Sequence, residues 1–279
     1  MLVLKTIADT RDWCARVRAE SKTLGLVPTM GALHAGHMAL VNAARTRCDA
    51  VAVSIFVNPT QFGPGEDFAS YPRTFEEDCR ELEEAGVDVV FAPSAEEMFP
   101  PGATTFVTVE GLSERLDGKS RPGHFRGVAT VVAKLFHIFM PEHAYFGQKD
   151  AAQVAVLRKM VRDLLFPLKL EVCPTVREPD GLAMSSRNRN LTGEQRQQAL
   201  VLSRALRTVE EQVKSGVKDS GELLATMRRV FSEEPSVRVD YCSIVDPEML
   251  EDIADVSGGA LVAVAAHVGT TRLIDNILL

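Results

Sequence analysis

The chain has 279 residues, 46% of them hydrophobic and 25% charged, and 31 Lys and Arg against 38 Asp and Glu leave a net charge of −7. This composition excludes an intrinsically disordered chain and a membrane span, and it argues against a nucleic-acid partner while leaving room for a local basic pocket. The length fits one large domain or two smaller ones. No element is predicted before Leu24, and Asp9, Arg11 and Asp12 interrupt the short apolar start before a signal-peptide core can form. The five cysteines, none at CxxC spacing, read as reduced thiols, so the expected location is cytoplasmic.

From Leu24 onward, short Val- and Ile-rich runs alternate with helical patterns. Strands are predicted at Leu24–Pro28, Val51–Val57, Val87–Ala92, Ala144–Phe146 and Leu168–Val172. Helices are predicted at His34–Arg47, Thr74–Ala85, Val128–Met140 and Asp150–Leu165. Thr74 with Glu77 reads as a capping box, and Pro141 and Pro167 end the last two helices. This alternation implies an α/β fold with a mostly parallel, Rossmann-like sheet over residues 1–176. The polar stretch from Arg177 opens a smaller α+β domain, 177–279. It holds a second capping box at Thr192 and Gln195, helices at Gln195–Val213 and Ser220–Phe231, an alternating strand from Val237, and apolar runs at Ala260–Ala266 and Leu273–Leu279.

Ligands of parallel sheets sit at the carboxyl ends of the strands, so chemistry is expected in the segments that follow them. In Pro28-Thr29-Met30-Gly31-Ala32-Leu33-His34-Ala35-Gly36-His37, a strand turns into a helix start. Two imidazoles on one face of the first turn would meet phosphate there, aided by the helix N-terminus. Asn58 and Gln61 in Val57–Phe62 offer uncharged donors and acceptors suited to a hydroxy acid, although an Asn-Pro turn would use Asn58 internally. Lys119–Gly127 is a basic, Gly-rich stretch in which Arg121 could grip an anion. In Gly147-Gln148-Lys149-Asp150, a cation at a helix N-terminus is electrostatically misplaced unless an anion comes to it, and Gln153 lies one turn further on. Met184-Ser185-Ser186-Arg187-Asn188 forms a hydroxyl- and guanidinium-bearing loop at the domain junction. His124, His137, His143 and His267 show no metal-ligand spacing and read as structural or surface residues. No carboxylate cluster reads as a metal cage either.

Taken together, PTMGALHAGH, VNPTQF, RPGHFRGV, GQKD and MSSRN, in that order, resemble the pantothenate synthetase (pantoate–β-alanine ligase) family, within the nucleotidyltransferase fold shared with class I aminoacyl-tRNA synthetases. The resemblance implies that ATP, pantoate and β-alanine give pantothenate, AMP and pyrophosphate through a pantoyl-adenylate. It implies catalytic roles for His34, His37, Lys149, Ser185, Ser186 and Arg187. ATP would contact these residues and Pro28, Thr29, Met30, Gly147, Gln148, Asp150, Val176 and Met184. Gln61, Gln153, Asn58 and Arg121 would bind pantoate or β-alanine. Mg²⁺ is expected mainly on the ATP phosphates, and a homodimer is expected. Two rival readings are a nucleotidyltransferase acting on a phosphorylated acceptor and a nucleotide-binding regulator without turnover. The first predicts a stable nucleotidylated product, and the second predicts binding without pyrophosphate release.

Overall fold

The computed structural model describes all 279 residues. Its strands are β1 (Leu2–Leu4), β2 (Leu24–Thr29), β3 (Ala50–Ile55), β4 (Val89–Phe91), β5 (His143–Gly147), β6 (Lys169–Cys173), β7 (Val237–Val245), β8 (Leu261–Val268) and β9 (Thr271–Leu278). Its helices are α1 (Ile7–Ala19), α2 (Ala35–Arg47), α3 (Phe75–Glu84), α4 (Ala95–Met98), α5 (Asp117–Ser120), α6 (His124–Phe139), α7 (Ala151–Asp163), α8 (Gly193–Lys214) and α9 (Ser220–Ser232). The first six strands form one parallel sheet in the order β1-β4-β3-β2-β5-β6. From β2 the chain builds outward through β3 and β4 on one side. It then returns to place β5 and β6 on the other, so the strand order reverses between β2 and β5.

Both faces of the central strands are covered, which is why β2, β3 and β4 read as apolar runs. Leu24, Leu26, Ala50, Ala52, Val89, Phe91, Ala144 and Phe146 pack with α1, α6 and α7 on one face. Val27, Val51, Val53, Val90 and Tyr145, the alternate parity, pack with α2 and α3 on the other.

The second sheet is antiparallel, β7-β8-β9. Val262, Val264, Ala266 and Val268 face the core formed with α8 and α9, whereas Leu261 and Ala263 join the core of the first sheet's α6–α7 side. The β8 run is apolar at both parities because each face of the small sheet is covered.

Three local expectations change. The N-terminal segment forms β1 and α1. The strand is too short for a periodic signal, and the helix is anchored by a Thr6 cap and by buried Trp13, Cys14 and Val17. Thr74 makes no cap to α3; its hydroxyl turns to Asp78 instead, at 3.0 Å. The Thr192–Gln195 capping box does form. Helix α6 starts at His124, four residues before its predicted start at Val128. Gly127 does not break it; a Cβ there would run into the backbone of Thr60 and Gln61, so glycine lets α6 lie directly on that turn.

Candidate active site

The carboxyl ends of β2 and β5 flank the crevice at the reversal of strand order, where doubly wound sheets hold ligands. The loop after β2 carries His34 and His37, and the turn after β5 carries Lys149. Gly31 (φ 80°) and Ala32 (φ 49°) take left-handed backbone in the first loop, which is strained for the alanine. The buried Asp78 of α3 holds them: its carboxylate accepts the N–H of Ala32 at 3.0 Å, the N–H of Leu33 at 2.9 Å and the Thr74 hydroxyl. Asp78 is thereby turned onto the loop backbone and does not line the cavity.

His34 caps α2, its Nδ1 accepting the Gly36 N–H at 3.1 Å. A ring that accepts at Nδ1 carries its proton on Nε2, which is therefore a donor. Burial, reinforced by the Lys149 charge, holds the His34 pKa down to about 4. Burial, then the neighbouring His34 ring, pulls His37 to about 3. The two rings stand 4.1 Å apart, as their three-residue spacing predicts. Both are neutral at physiological pH and act as N–H donors at a helix N-terminus rather than as cations. Lys149 supplies the cation; the nearest carboxylate oxygen is Asp150 Oδ1, at 3.7 Å.

These groups line a cavity of ≈ 230 Å³ together with Pro28, Thr29, Met30, Gly147, Asp150, Gln153, Val176, Met184, Ser185, Ser186 and Arg187. Val128, Val131, Val132 and Leu135 of α6 make an apolar wall. A second space of ≈ 890 Å³ continues from it toward the C-terminal sheet, sharing Lys149, Asp150, Gln153, Ser185 and Arg187. His37 Nδ1, Ser54 Oγ and Thr175 Oγ1, on residues that line the cavity, are buried without a protein hydrogen-bond partner.

Gln61, 8% exposed, lies in the single 3-10 turn Pro59–Gln61 and faces the cavity. Its Oε1 accepts from Asn58 Nδ2 at 3.0 Å and its Nε2 rests on Met30 Sδ. Asn58 itself does not reach the cavity. Its Oδ1 accepts the Thr60 N–H and hydroxyl, and its Nδ2 donates to Gln61 and to the Gly127 carbonyl. The Asn-Pro turn uses the whole amide, so Asn58 positions Gln61 and is withdrawn from the substrate set. Gln148, expected to meet ATP through its backbone, does not line the cavity; its Nε2 donates to Asn276 Oδ1 and its carbonyl accepts from Asn276 Nδ2.

The two arginines reach the site already paired. Arg121 donates from Nε and Nη2 to Glu66 at 2.9 and 2.7 Å. Arg187 donates from Nε and Nη2 to Asp67 at 2.9 and 3.0 Å. Arg121 holds the Glu66 carboxyl below its usual range. Burial raises Asp67, but its hydrogen bonds and the Arg187 charge outweigh this and leave it below its usual value too. Neighbouring acids of one loop thus occupy both guanidinium groups.

His124, read from sequence as structural or surface, lines the cavity. Arg121 Nη1 donates to its Nε2 at 3.1 Å, so its Nδ1 carries the proton and donates to the Gln61 carbonyl at 2.8 Å. Burial, then the Arg121 charge, lowers its pKa to about 4. Tyr71, also unpredicted, is buried on the same wall, and burial raises its hydroxyl pKa. His124 and Arg121 share the RPGH segment, the sequence signal that could have found the histidine; Tyr71 has no comparable motif.

A helix N-terminus, two neutral imidazoles and a lysine around a cavity at the switch point of a parallel sheet define a Rossmann-like protein with a cavity whose chemistry suits an anion. The comparisons with known proteins narrow the class. A sequence profile described as pantoate-beta-alanine ligase matches residues 2–278. The chain is 61% identical over its full length to the pantothenate synthetase of Koribacter versatilis, covering 96% of that protein. It superposes on the crystal structure of pantothenate synthetase from Thermus thermophilus with a TM-score of 0.95 at 48% identity, covering 99% of each chain. It also matches, at a TM-score of 0.78 and 33% identity, the pantoate-beta-alanine ligase of Francisella tularensis complexed with beta-gamma ATP and beta-alanine, covering 100% of this chain and 97% of that one. The chain belongs to the pantoate-beta-alanine ligase family.

Proposed function

We propose that the chain joins pantoate to β-alanine at the expense of ATP, through a pantoyl-adenylate, and releases AMP and pyrophosphate. The observation that carries this reading is the convergence of His34, His37 and Lys149 on one side of the cavity, with Gln61, Gln153 and an apolar wall beside them. In the first step a pantoate carboxylate oxygen attacks the α-phosphorus. The bond from that phosphorus to the bridging oxygen breaks, and pyrophosphate leaves with the electron pair. Such a displacement needs alignment and stabilisation of negative charge more than proton transfer. His34 Nε2–H, His37, the N-terminus of α2 and Lys149 suit that charge. Ser185, Ser186 and Arg187 would follow the departing phosphates, with Arg187 exchanging Asp67 for phosphate. Gln61 and Gln153 would hold the pantoate hydroxyls and carboxylate, while Val131 and Val132 of the apolar wall would face its methyl groups.

In the second step the β-alanine amine attacks the acyl carbon. The bond to the AMP oxygen breaks, and the amine gives up a proton. Water at the cavity mouth can accept it; His34 cannot, because its Nδ1 already accepts from Gly36 and its Nε2 carries the ring proton. Backbone at Pro28–Met30, Gly147, Val176 and Met184 would hold adenosine.

No three His, Cys, Asp or Glu side chains are grouped to enclose a metal ion, and Asp150 is the carboxylate on the cavity wall. This donor set fits Mg²⁺ carried by phosphate oxygens and water, with Asp150 the protein oxygen nearest to hand; when bound it would neutralise phosphate charge. The five cysteines are unpaired, which supports a reducing, cytoplasmic setting, and no helix is long and apolar enough to cross a membrane. A homodimer is proposed from the family resemblance, with light scattering as its test.

ATP–pyrophosphate exchange with pantoate, run without β-alanine, tests the central claim. Exchange that needs pantoate but not the amine supports the adenylate. Exchange that requires β-alanine rejects it.

A further inference from the structure

The C-terminal sheet reaches the phosphate site through two adjacent residues of its last strand. Asn276, 4% exposed, lies on β9, far from the site in sequence. Its Nδ2 donates to the Gln148 carbonyl at 3.0 Å and the Lys149 carbonyl at 2.8 Å, while its Oδ1 accepts from Gln148 Nε2 at 3.1 Å. One amide therefore uses both donors and an acceptor on the turn that presents Lys149. Asp275, 2% exposed, pairs with Arg177 through two bonds of 2.7 and 3.0 Å. Arg177 in turn bridges to Ala183 and holds the Gly181 carbonyl, and so steadies the hairpin that leads into Ser185–Arg187. Neither Asp275 nor Asn276 lines the cavity.

We propose that Asn276 is a positioning residue for Lys149, so that the C-terminal sheet, and not the parallel sheet alone, sets the geometry of the phosphate site. The turn Gln148–Asp150 precedes α7 and is a single 3-10 turn with no side-chain cap of its own. Two of its carbonyls would lack these donors without Asn276. The Lys149 backbone is thereby tied to β9, and the side chain leaves from a fixed point. A shift of that point by a fraction of an ångström to one ångström weakens charge stabilisation at the phosphates without touching the pantoate amides. The inference rests on the catalytic reading of Lys149.

The test is pantoate-dependent pyrophosphate exchange by the full-length enzyme, with Asn276→Ala, Asn276→Asp, Lys149→Ala and the double variant Asn276→Ala/Lys149→Ala. Asn276→Asp keeps the volume but points an acceptor at two carbonyls, so both Asn276 variants should lose about tenfold or more in kcat, with the pantoate KM unchanged. In the Lys149→Ala background, Asn276→Ala should add almost nothing, because the two changes remove one function. A purely structural role would lower the melting temperature and give losses that multiply across the two backgrounds. Multiplying losses, or exchange by Asn276→Ala at the wild-type rate beside a crippled Lys149→Ala, would overturn this inference and leave the catalytic reading standing. Exchange by Lys149→Ala at the wild-type rate would remove the catalytic reading and this inference with it.

Discussion

Asp78→Asn isolates the physical basis of the phosphate-facing loop. The substitution preserves size and shape, so it changes donors and charge alone. In the wild type, Oδ2 accepts the Ala32 N–H while Oδ1 accepts the Leu33 N–H and the Thr74 hydroxyl. An amide offers one oxygen and turns two N–H groups toward whatever the other oxygen served. Whichever way it is oriented, at least one buried backbone donor loses its acceptor. A hydrogen bond to a charged group contributes about 1.5–3 kcal/mol, and a buried donor left unmatched costs about 1–3 kcal/mol. The expected loss is therefore about 2–3 kcal/mol, read as a fall in the urea midpoint with an unchanged slope. The left-handed Ala32 sits on the same bond. Its relaxation would move the start of α2 and with it His34 and His37, so pyrophosphate exchange should fall about tenfold or more. A stability loss below about 0.5 kcal/mol, a typical neutral surface value, with unchanged exchange would show that the loop holds its shape without Asp78.

Gly127→Ala should destabilise the protein by about 1–3 kcal/mol despite the better helix propensity of alanine, because the new methyl meets the Thr60 backbone; it should also raise the pantoate KM through Gln61, and a more stable variant would refute the close packing. Asp67→Asn should release Arg187 from a partly buried pair contributing about 1 kcal/mol, so the ATP KM should fall several-fold; a rise would mean that the pair pre-orients the arginine. The pH dependence of stability follows from the lowered histidines. His34, His37 and His124 titrate near 4, 3 and 4 in the folded chain but near about 6.5 when unfolded. Between those values the unfolded chain binds more protons, so stability is fully present above about pH 6.5 and is lost as pH falls toward 4, by up to about 1.4 kcal/mol per pH unit per histidine. A urea midpoint that stays level from pH 7 to 4.5 would contradict this, and His124→Gln should flatten the slope.

The sheet was legible wherever both faces are buried, since β2, β3 and β4 appear as apolar runs, whereas the edge strand β6 alternates Leu170 and Val172 with Lys169 and Glu171 and is only half-buried. Strand β1, three residues long, carries no period. The loops after β2 and β5 were legible because each places its histidines or lysine at a helix start directly after a buried strand. Asn58 and Gln148 share motifs with cavity residues yet turn away, because their amides are consumed by Gly127 and by Asn276. Which side of a turn a side chain takes depends on partners distant in the chain.

Local order alone determined the alternation of strands and helices, the HxGH start of α2, and a cationic turn at Lys149. These follow from periodicity, capping and the helix dipole, which act over a few residues. Only the tertiary structure decided that Asp78 would hold the first loop, that Glu66 and Asp67 would occupy the two arginines, that His124 would face the cavity, and that Asn276 would tie the Lys149 turn to the last strand. Each of these is a buried or partly buried polar group whose partner lies tens to more than a hundred residues away. The requirement that such groups be paired is general, but the choice of partner is made by the packing of the sheets.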